Sequence, residues 1–184
     1  MSTNKGKNIL VVGGACGMGA ATVCELYRQG ANLVVLDLNE EAWEELVEDE
    51  ELDGGPGTLH FVGGDVNDAA VRQAAIDYAR DTFGTLDSLL YIAGVLDLMR
   101  PAHKTDDELW DYVMDVTVNS TFRMCHDCLP LLWDHEGTPA NIVIVARLAA
   151  SSARRQVRLT SPASMRCWAS RATWRTRTAS ATST

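Results

Sequence analysis

Three glycines near the amino terminus, Gly13, Gly17 and Gly19, have a spacing that suits a phosphate-binding loop. They follow a β-branched run at residues 8–12 and precede a helical pattern at residues 20–28. In such a loop the first glycine permits a sharp turn, the second lets the backbone approach a pyrophosphate, and the third lets helix and strand pack closely. The anion would then meet free N–H groups and the positive end of the helix dipole. The spacing therefore predicts a nucleotide-binding site.

An acidic residue, Asp37, ends the second apolar run at residues 33–36 and lies 18 residues beyond Gly19. A carboxylate at this place accepts hydrogen bonds from the ribose hydroxyls of the adenosine half of a dinucleotide, and it repels a 2′-phosphate. No Arg or Lys stands nearby in the sequence to receive a 2′-phosphate. These features favour NAD over NADP. The alternative for Asp37 is a solvated turn residue.

The other patterns predict an alternation of strands and helices around these residues. Continuous apolar runs predict strands, and apolar residues at helical spacing predict the helices between them. The predicted strands are residues 8–12, 33–36, 59–62, 86–93 and 141–145, and the predicted helices are residues 20–28, 39–46, 68–83 and two in succession over 106–133. This order implies right-handed βαβ units and an α/β fold with a doubly wound parallel sheet.

The glycine spacing Gly13-xxx-Gly17-x-Gly19 resembles that of the short-chain dehydrogenase/reductase family. Gly64-Asp65-Val66 looks like the segment whose Asp contacts adenine, and Ala93-Gly94-Val95 looks like the end of the Asn-Asn-Ala-Gly motif. Residues 110–125 resemble the helix that packs on the active site and forms much of the oligomer interface, and residues 141–145 resemble the strand that carries the catalytic Ser. The resemblance covers residues 7–145 and implies a Rossmann-type fold, a small-molecule alcohol or carbonyl substrate, and a homo-oligomer.

The resemblance and the glycine loop together define the candidate cofactor-binding residues. They are Gly13, Cys16, Gly17, Met18, Gly19, Asp37, Leu38, Asp65, Val66, Ala93 and Gly94. The departures from the family pattern are Val12 in place of Thr, Tyr91 and Ile92 in place of two Asn, and Thr117 in place of the catalytic-helix Asn, with Asn119 two residues on. The glycines and acids of the nucleotide half remain, whereas Thr117 affects the family's proton relay.

The resemblance also implies a catalytic Ser, Tyr and Lys. In the family, hydride passes between the nicotinamide and a secondary alcohol or ketone, and the Tyr acts as the acid/base beside a Lys four residues later. The expected places hold Ala146-Arg147, Thr160 and Ser164, and no Tyr follows Tyr112. No catalytic residue is therefore assigned. The predicted function is a short-chain NAD-dependent oxidoreductase, and the alternative is a catalytically dead dinucleotide-binding fragment or pseudoenzyme.

Back-translation offers a reason for the missing residues. When the third base of each codon is joined to the first two of the next, the pairs from Leu159-Thr160 to Trp168-Ala169 can read Tyr-Leu-Ala-Ser-Lys-His-Ala-Val-Leu-Gly. The final Leu and Gly of this run are forced by any choice of codons. Because this is a Tyr-x-x-x-Lys helix in the expected register, we hypothesise a single-base frame change near Ala146, which leaves the C-terminal part of the fold incomplete.

The distribution of charge fits two segments. Through Ala146 there are eight basic and 25 acidic residues, a net charge of −17, and from Arg147 onward there are eight Arg and no acid. The sequence therefore predicts an NAD(P)-binding Rossmann domain over residues 1–146 and an aberrant basic tail, rich in Arg, Ser and Thr, over residues 147–184. Neither a long apolar run nor a signal peptide is present in the sequence, and five irregularly spaced cysteines argue against a disulfide framework. These features predict a cytoplasmic protein without a membrane partner.

Three other interpretations have less support. Cys125 and Cys128 share a helical face with too few neighbouring ligands for a closed zinc site, so buried helix cysteines and no metal are predicted. The basic tail lacks a binding fold and regular aromatic residues, so no nucleic-acid partner is expected. The tryptophans Trp43, Trp110 and Trp133 are expected to fill gaps between helix and sheet, and His60 has no evident partner.

Overall fold

The computed structural model describes residues 4–48, 52, 55–96, 100–133 and 139–146, so the predicted tail lies outside the described residues. Its strands are β1 (Asn8–Val12), β2 (Asn32–Asp37), β3 (Thr58–Gly63), β4 (Ser88–Tyr91) and β5 (Asn141–Ile144). Its helices are α1 (Gly17–Arg28), α2 (Glu40–Val47), α3 (Ala69–Phe83), α4 (Asp107–Met114) and α5 (Ser120–Trp133). A 3₁₀ turn, Ala102–Lys104, precedes α4, and a π-turn, Asp115–Asn119, joins α4 to α5.

The five strands form one parallel sheet in the order β3-β2-β1-β4-β5. From β1 the chain first builds outward through β2 and β3, then returns to place β4 on the other side of β1. At such a reversal the connections leave the sheet in opposite directions and open a crevice at the carboxyl ends of the two strands. The sheet confirms the predicted doubly wound α/β fold, and it places the crevice between the ends of β1 and β4.

The sheet is covered on both faces, and its central strands are apolar over most of their length. Alternate residues of β1, Leu10 and Val12, face a core to which α3 and α5 contribute. Their neighbours Ile9 and Val11 face a second core with Val23 of α1. Trp43 of α2 packs against this second core and stacks on Phe61 with ring centroids 4.6 Å apart. The helices therefore divide between the two faces.

Strand β5 differs from the other strands in its exposure. Its apolar residues Ile142, Val143 and Ile144 are 40–50% exposed, although the strand keeps its hydrogen-bonded register with β4. Within the described part of the chain β5 is an edge strand. No described helix is long and apolar enough to cross a membrane.

Helix starts agree with local sequence signals. Asn39, Asp68 and Asp106 precede α2, α3 and α4, and each side chain accepts a hydrogen bond from a backbone N–H of the first turn. Such caps satisfy N–H groups that have no partner within the helix. These contacts involve residues two or three positions apart, which is why the sequence alone indicates them.

Two expectations about aromatic residues were wrong. Trp110 is 59% exposed and Trp133 is 84% exposed, so neither fills a gap against the sheet. Helical spacing identifies an apolar stripe, and it does not determine whether another element covers that stripe. His60 does have a partner, because its ring stacks on Tyr78 with centroids 3.5 Å apart, and burial lowers the pKa of His60.

Candidate functional site

The glycine loop after β1 is closed against the end of β4. The N–H of Gly13 donates to the carbonyl of Leu36 at 2.8 Å, and the residue has φ +87°, which favours glycine. A Cβ on Gly13 would lie 2.5 Å from the backbone nitrogen of Ala93. A Cβ on Gly19 would lie 1.9 Å from the carbonyl oxygen of Gly13. These contacts bring the predicted site residues Gly13, Gly19 and Ala93 together.

The second glycine of the loop, Gly17, has φ +59°. A Cβ built there would meet none of the described residues within 4 Å. Gly17 begins α1, whose preceding residue Cys16 makes no side-chain cap and whose first turn contains no acid. Free N–H groups at a helix start together with a clear approach suit an anion. The loop therefore fits a pyrophosphate group, with the exposed Met18 beside it.

The other cysteines among the described residues lie on helices. Cys24 and Cys128 are buried, and Cys125 is partly buried.

Asp37 is a buried residue at the carboxyl end of β2, and its carboxylate binds the glycine loop. One carboxylate oxygen accepts from the N–H of Ala15 at 2.9 Å, and the other accepts from the N–H of Asn39 at 3.0 Å. The side chain thus joins β2 to the loop after β1. Each carboxylate oxygen can accept more than one hydrogen bond, so acceptor capacity remains for a ligand hydroxyl. Leu38 follows and is 42% exposed.

The loop after β3 lies next to Asp37. The N–H of Gly64 donates to the carbonyl of Asp37 at 2.9 Å, and Asp65 accepts from the N–H of Asn67 at 2.8 Å. Val66 is buried, and Asp65 is partly exposed. The ends of β1, β2 and β3 are therefore linked through backbone hydrogen bonds, as the sheet topology requires for residues that would share one dinucleotide.

A buried hydroxyl cluster was not anticipated from the sequence. The hydroxyl of Tyr91, which is 1% exposed, donates to the carbonyl of Val116 at 3.1 Å and contacts Ser120 Oγ. Ser120 Oγ also donates to Val116 at 2.6 Å, and the Ser120 N–H bonds to Asp115 five residues back. Tyr91 thus contacts Val116 and Ser120, which lie on either side of Thr117 in the sequence.

Tyr91 does not supply an acid for catalysis. Burial raises its pKa, and it does so in spite of the hydrogen bonds from Ser120 and Thr121, which act in the opposite direction. The side chain has almost no access to solvent or to a substrate. Its chemistry is therefore that of a neutral structural donor.

We expect Tyr91→Phe to destabilise the fold by about 1–2 kcal/mol. The substitution keeps the ring and removes one hydroxyl from a buried cluster, which leaves Ser120 and Val116 desolvated with one partner fewer. Urea unfolding measures the change. Tyr78→Phe is the matched control because Tyr78 packs its ring on His60, and its hydroxyl has no hydrogen bond among the described residues. Equal losses in the two variants would contradict a structural role for the Tyr91 hydroxyl.

The catalytic positions implied by the resemblance lie largely outside the described residues. Ala146, at the expected place of the Ser, is exposed, and Thr160 and Ser164 fall in the part that is not described. Asn119 is exposed and donates to Asp115 at 2.6 Å. Cys128 is fully buried, and burial raises the pKa of its thiol to about 12. Among the described residues no cluster of three or more His, Cys, Asp or Glu is placed to hold a metal.

Comparison with known proteins gives a family match. A family model described as short chain dehydrogenase matches residues 7–159. D-threitol dehydrogenase of Mycolicibacterium smegmatis is 38% identical over 120 residues, which cover 65% of this chain and 45% of that protein. Cyclopentanol dehydrogenase of Comamonas sp. is 33% identical over 137 residues, which cover 74% of this chain and 54% of that protein. The chain thus spans about half the length of these curated relatives.

Solved structures with a similar fold include a reductase. The NADH-dependent reductase A1-R′, responsible for alginate metabolism, superposes with a TM-score of 0.72 at 28% identity, over 84% of this chain and 64% of that one. The same reductase complexed with NAD superposes with a TM-score of 0.68 over 78% of this chain and 60% of that one. The fold of this chain is therefore similar to that of an NADH-dependent reductase.

Proposed function

The chain belongs to the short-chain dehydrogenase family, whose members bind a nicotinamide cofactor, and from this premise we propose that it binds NAD(H) in the crevice between β1 and β4. The observation that carries the proposal is the open, uncapped start of α1 at Gly17 beside the carboxylate of Asp37. The pyrophosphate would lie on the N–H groups at Gly17–Gly19, and the adenosine ribose would bond to Asp37. Asp65 and Val66 would flank the adenine, and Ala93 and Gly94 would lie at the nicotinamide half.

NAD is favoured over NADP because Asp37 is an anion where a 2′-phosphate would stand. The neighbouring Leu38 and Asn39 carry no positive charge to offset the repulsion. We expect NADH to bind about tenfold tighter than NADPH, a difference of about 1.4 kcal/mol. Asp37→Asn removes the charge with little change in shape, and it is expected to shrink this ratio.

Titration of protein fluorescence with each nucleotide measures the ratio directly. Because Asp37 also holds the glycine loop, Asp37→Asn is expected to weaken the binding of both NADH and NADPH to some degree. The ratio of the two affinities is therefore the quantity that tests the role of the charge. Glu40→Gln is the matched control, since Glu40 is an exposed acid three residues away on α2. A ratio that stays unchanged in Asp37→Asn would contradict the assignment of Asp37 to the ribose.

The proposed reaction is hydride transfer between the nicotinamide and a secondary alcohol or ketone. Relatives named D-threitol dehydrogenase and cyclopentanol dehydrogenase support a small alcohol as substrate. When bound, the nicotinamide ring supplies the hydride acceptor or donor. This chain's own contribution is to bind and orient that ring through the glycine loop and the end of β4, and to exclude water from the buried side of the crevice.

A second candidate function is dinucleotide binding without catalysis. The observation that favours it is that no Tyr follows Tyr112 and that Ser164 stands where a Lys is expected. Sequencing the gene from the codon of Asn141 onward tests the proposed frame change. If an adjacent frame encodes Tyr-x-x-x-Lys, the frame-restored protein is expected to form NADH from NAD with a panel of secondary alcohols, and the chain as written is not. NADH formation by the chain as written would overturn the second candidate.

A further inference from the structure

Arg72 is a buried cation with no part in the proposed dinucleotide contacts. It lies on the first turns of α3 and is 7% exposed, although a guanidinium is almost always charged. A buried charge is costly unless it is paired and hydrogen-bonded. The hydrogen-bond partners of Arg72 therefore indicate its role.

The guanidinium of Arg72 binds the backbone of the loop after β3. Its Nη1 donates to the carbonyl of Val66 at 2.8 Å and to the carbonyl of Asn67 at 3.0 Å. Its Nε donates to the carboxylate of Asp127 on α5 at 3.3 Å. One side chain therefore joins the loop, α3 and α5.

The loop also has local support, because the Asp65 side chain accepts from the N–H of Asn67 at 2.8 Å and the N–H of Asp68 donates to the carbonyl of Asp65 at 2.9 Å. The side-chain oxygen of Asn67 is buried without a hydrogen-bond partner among the described residues, so Asn67 does not anchor the loop with it. The other end of the loop is held at Gly64, whose N–H donates to the carbonyl of Asp37. The segment from Gly64 to Asn67 is thus held at one end by a backbone bond and within itself by Asp65, and its other end is bonded to the rest of the fold by Arg72.

We propose that Arg72 is a positioning residue for adenine recognition, which it controls by clamping the Val66 and Asn67 carbonyls and so fixing Asp65 and Val66. This inference rests on the proposed binding of NAD(H). Arg72 does not touch the nucleotide, so its effect passes through the loop. The effect should appear on ligands that contain adenine and leave ligands without adenine unchanged.

Arg72→Lys is the test variant. A Lys keeps the positive charge for Asp127, but it is a flexible point charge and does not reproduce a planar fork that bonds two carbonyls and a carboxylate at once. Arg80→Lys is the matched control, because Arg80 lies on the same helix in an exposed ion pair with Asp77. Asp127→Asn tests the ion pair separately from the bonds to the loop. An Asn oxygen still accepts from Arg72 Nε, and the bonds from Arg72 to the Val66 and Asn67 carbonyls are kept.

Competition against NADH by two probes, AMP and reduced nicotinamide mononucleotide, gives the readout on folded full-length protein. Arg72→Lys is expected to weaken the affinity for AMP about tenfold and to change the affinity for reduced nicotinamide mononucleotide less than twofold. Arg80→Lys and Asp127→Asn are expected to change neither affinity by more than twofold. Unchanged AMP binding in Arg72→Lys, or an equal loss for both probes, would overturn the inference and leave the proposed function intact. Failure of the unaltered protein to bind NADH would instead overturn the proposed function, and the inference with it.

Discussion

Gly19→Ala is expected to destabilise the domain by about 3 kcal/mol, although alanine is the better helix former. The added methyl would lie 1.9 Å from the carbonyl oxygen of Gly13 and 3.0 Å from the Cα of Gly14. Both contacts are to backbone, so no side-chain rotation relieves them. The gain in helix propensity is about 1 kcal/mol, which is smaller than the loss when a closely packed backbone must move.

The loss should appear as a fall in Tm of about 6–12 °C for a domain of this size, measured by circular dichroism. Ala21→Gly is the control, because it changes helix propensity on the same turn at an exposed position and should cost only about 1 kcal/mol. A Tm for Gly19→Ala at or above that of the unaltered protein would show that the loop and helix separate without penalty. Nucleotide binding should also fall, because the N–H groups at the start of α1 shift with the loop.

Much of the nucleotide half could be predicted because its signals are local. The glycine spacing, the apolar runs and the caps at Asn39 and Asp68 each involve residues a few positions apart, and local geometry determines their structure. The parallel doubly wound fold also follows, because the alternation of strands and helices implies right-handed βαβ units. The predicted helix at residues 20–28 was too short by three residues, because α1 begins at Gly17.

The contacts that complete the site could not be predicted in the same way. Tyr91 meets Ser120 across 29 positions, and Arg72 meets Asp127 across 55. Each pair depends on how α5 lies on the sheet, which no short pattern encodes. The π-turn also depends on contacts between residues that are distant in the sequence. The sequence predicts two successive helices over residues 106–133, and the junction between them depends on the hydroxyl groups that Tyr91 and Ser120 bring to Val116.

The exposure of β5 could not be predicted from its apolar sequence. Its apolar run predicts a strand covered on both faces, and the strand does form in register with β4. Its side chains are nevertheless exposed along the strand's whole length. Composition determines which residues favour a sheet, whereas coverage depends on the elements that pack against them.

Gly17→Ala is expected to abolish most nucleotide binding with little loss of stability. Gly19→Ala, in contrast, is expected to lose mainly stability. A Cβ at Gly17 meets none of the described residues within 4 Å, so this part of the fold has room for it, and the positive φ costs about 1 kcal/mol. The same methyl would occupy the approach of the pyrophosphate to the N–H groups of α1. Loss of two such hydrogen bonds, each of about 1.5 kcal/mol, weakens NADH about 100-fold.

Gly6→Ala separates the two effects of this substitution. Gly6 also has a positive φ, +74°, none of the described residues lies within 4 Å of its Cβ position, and it lies in the turn before β1. The two variants should therefore lose similar stability in urea unfolding, and only Gly17→Ala should lose NADH affinity. Equal affinities would contradict the placement of the pyrophosphate on this loop. A selective loss at Gly17 would mean that the space in front of α1 holds the ligand, because none of the described residues lies within 4 Å of a Cβ at Gly17.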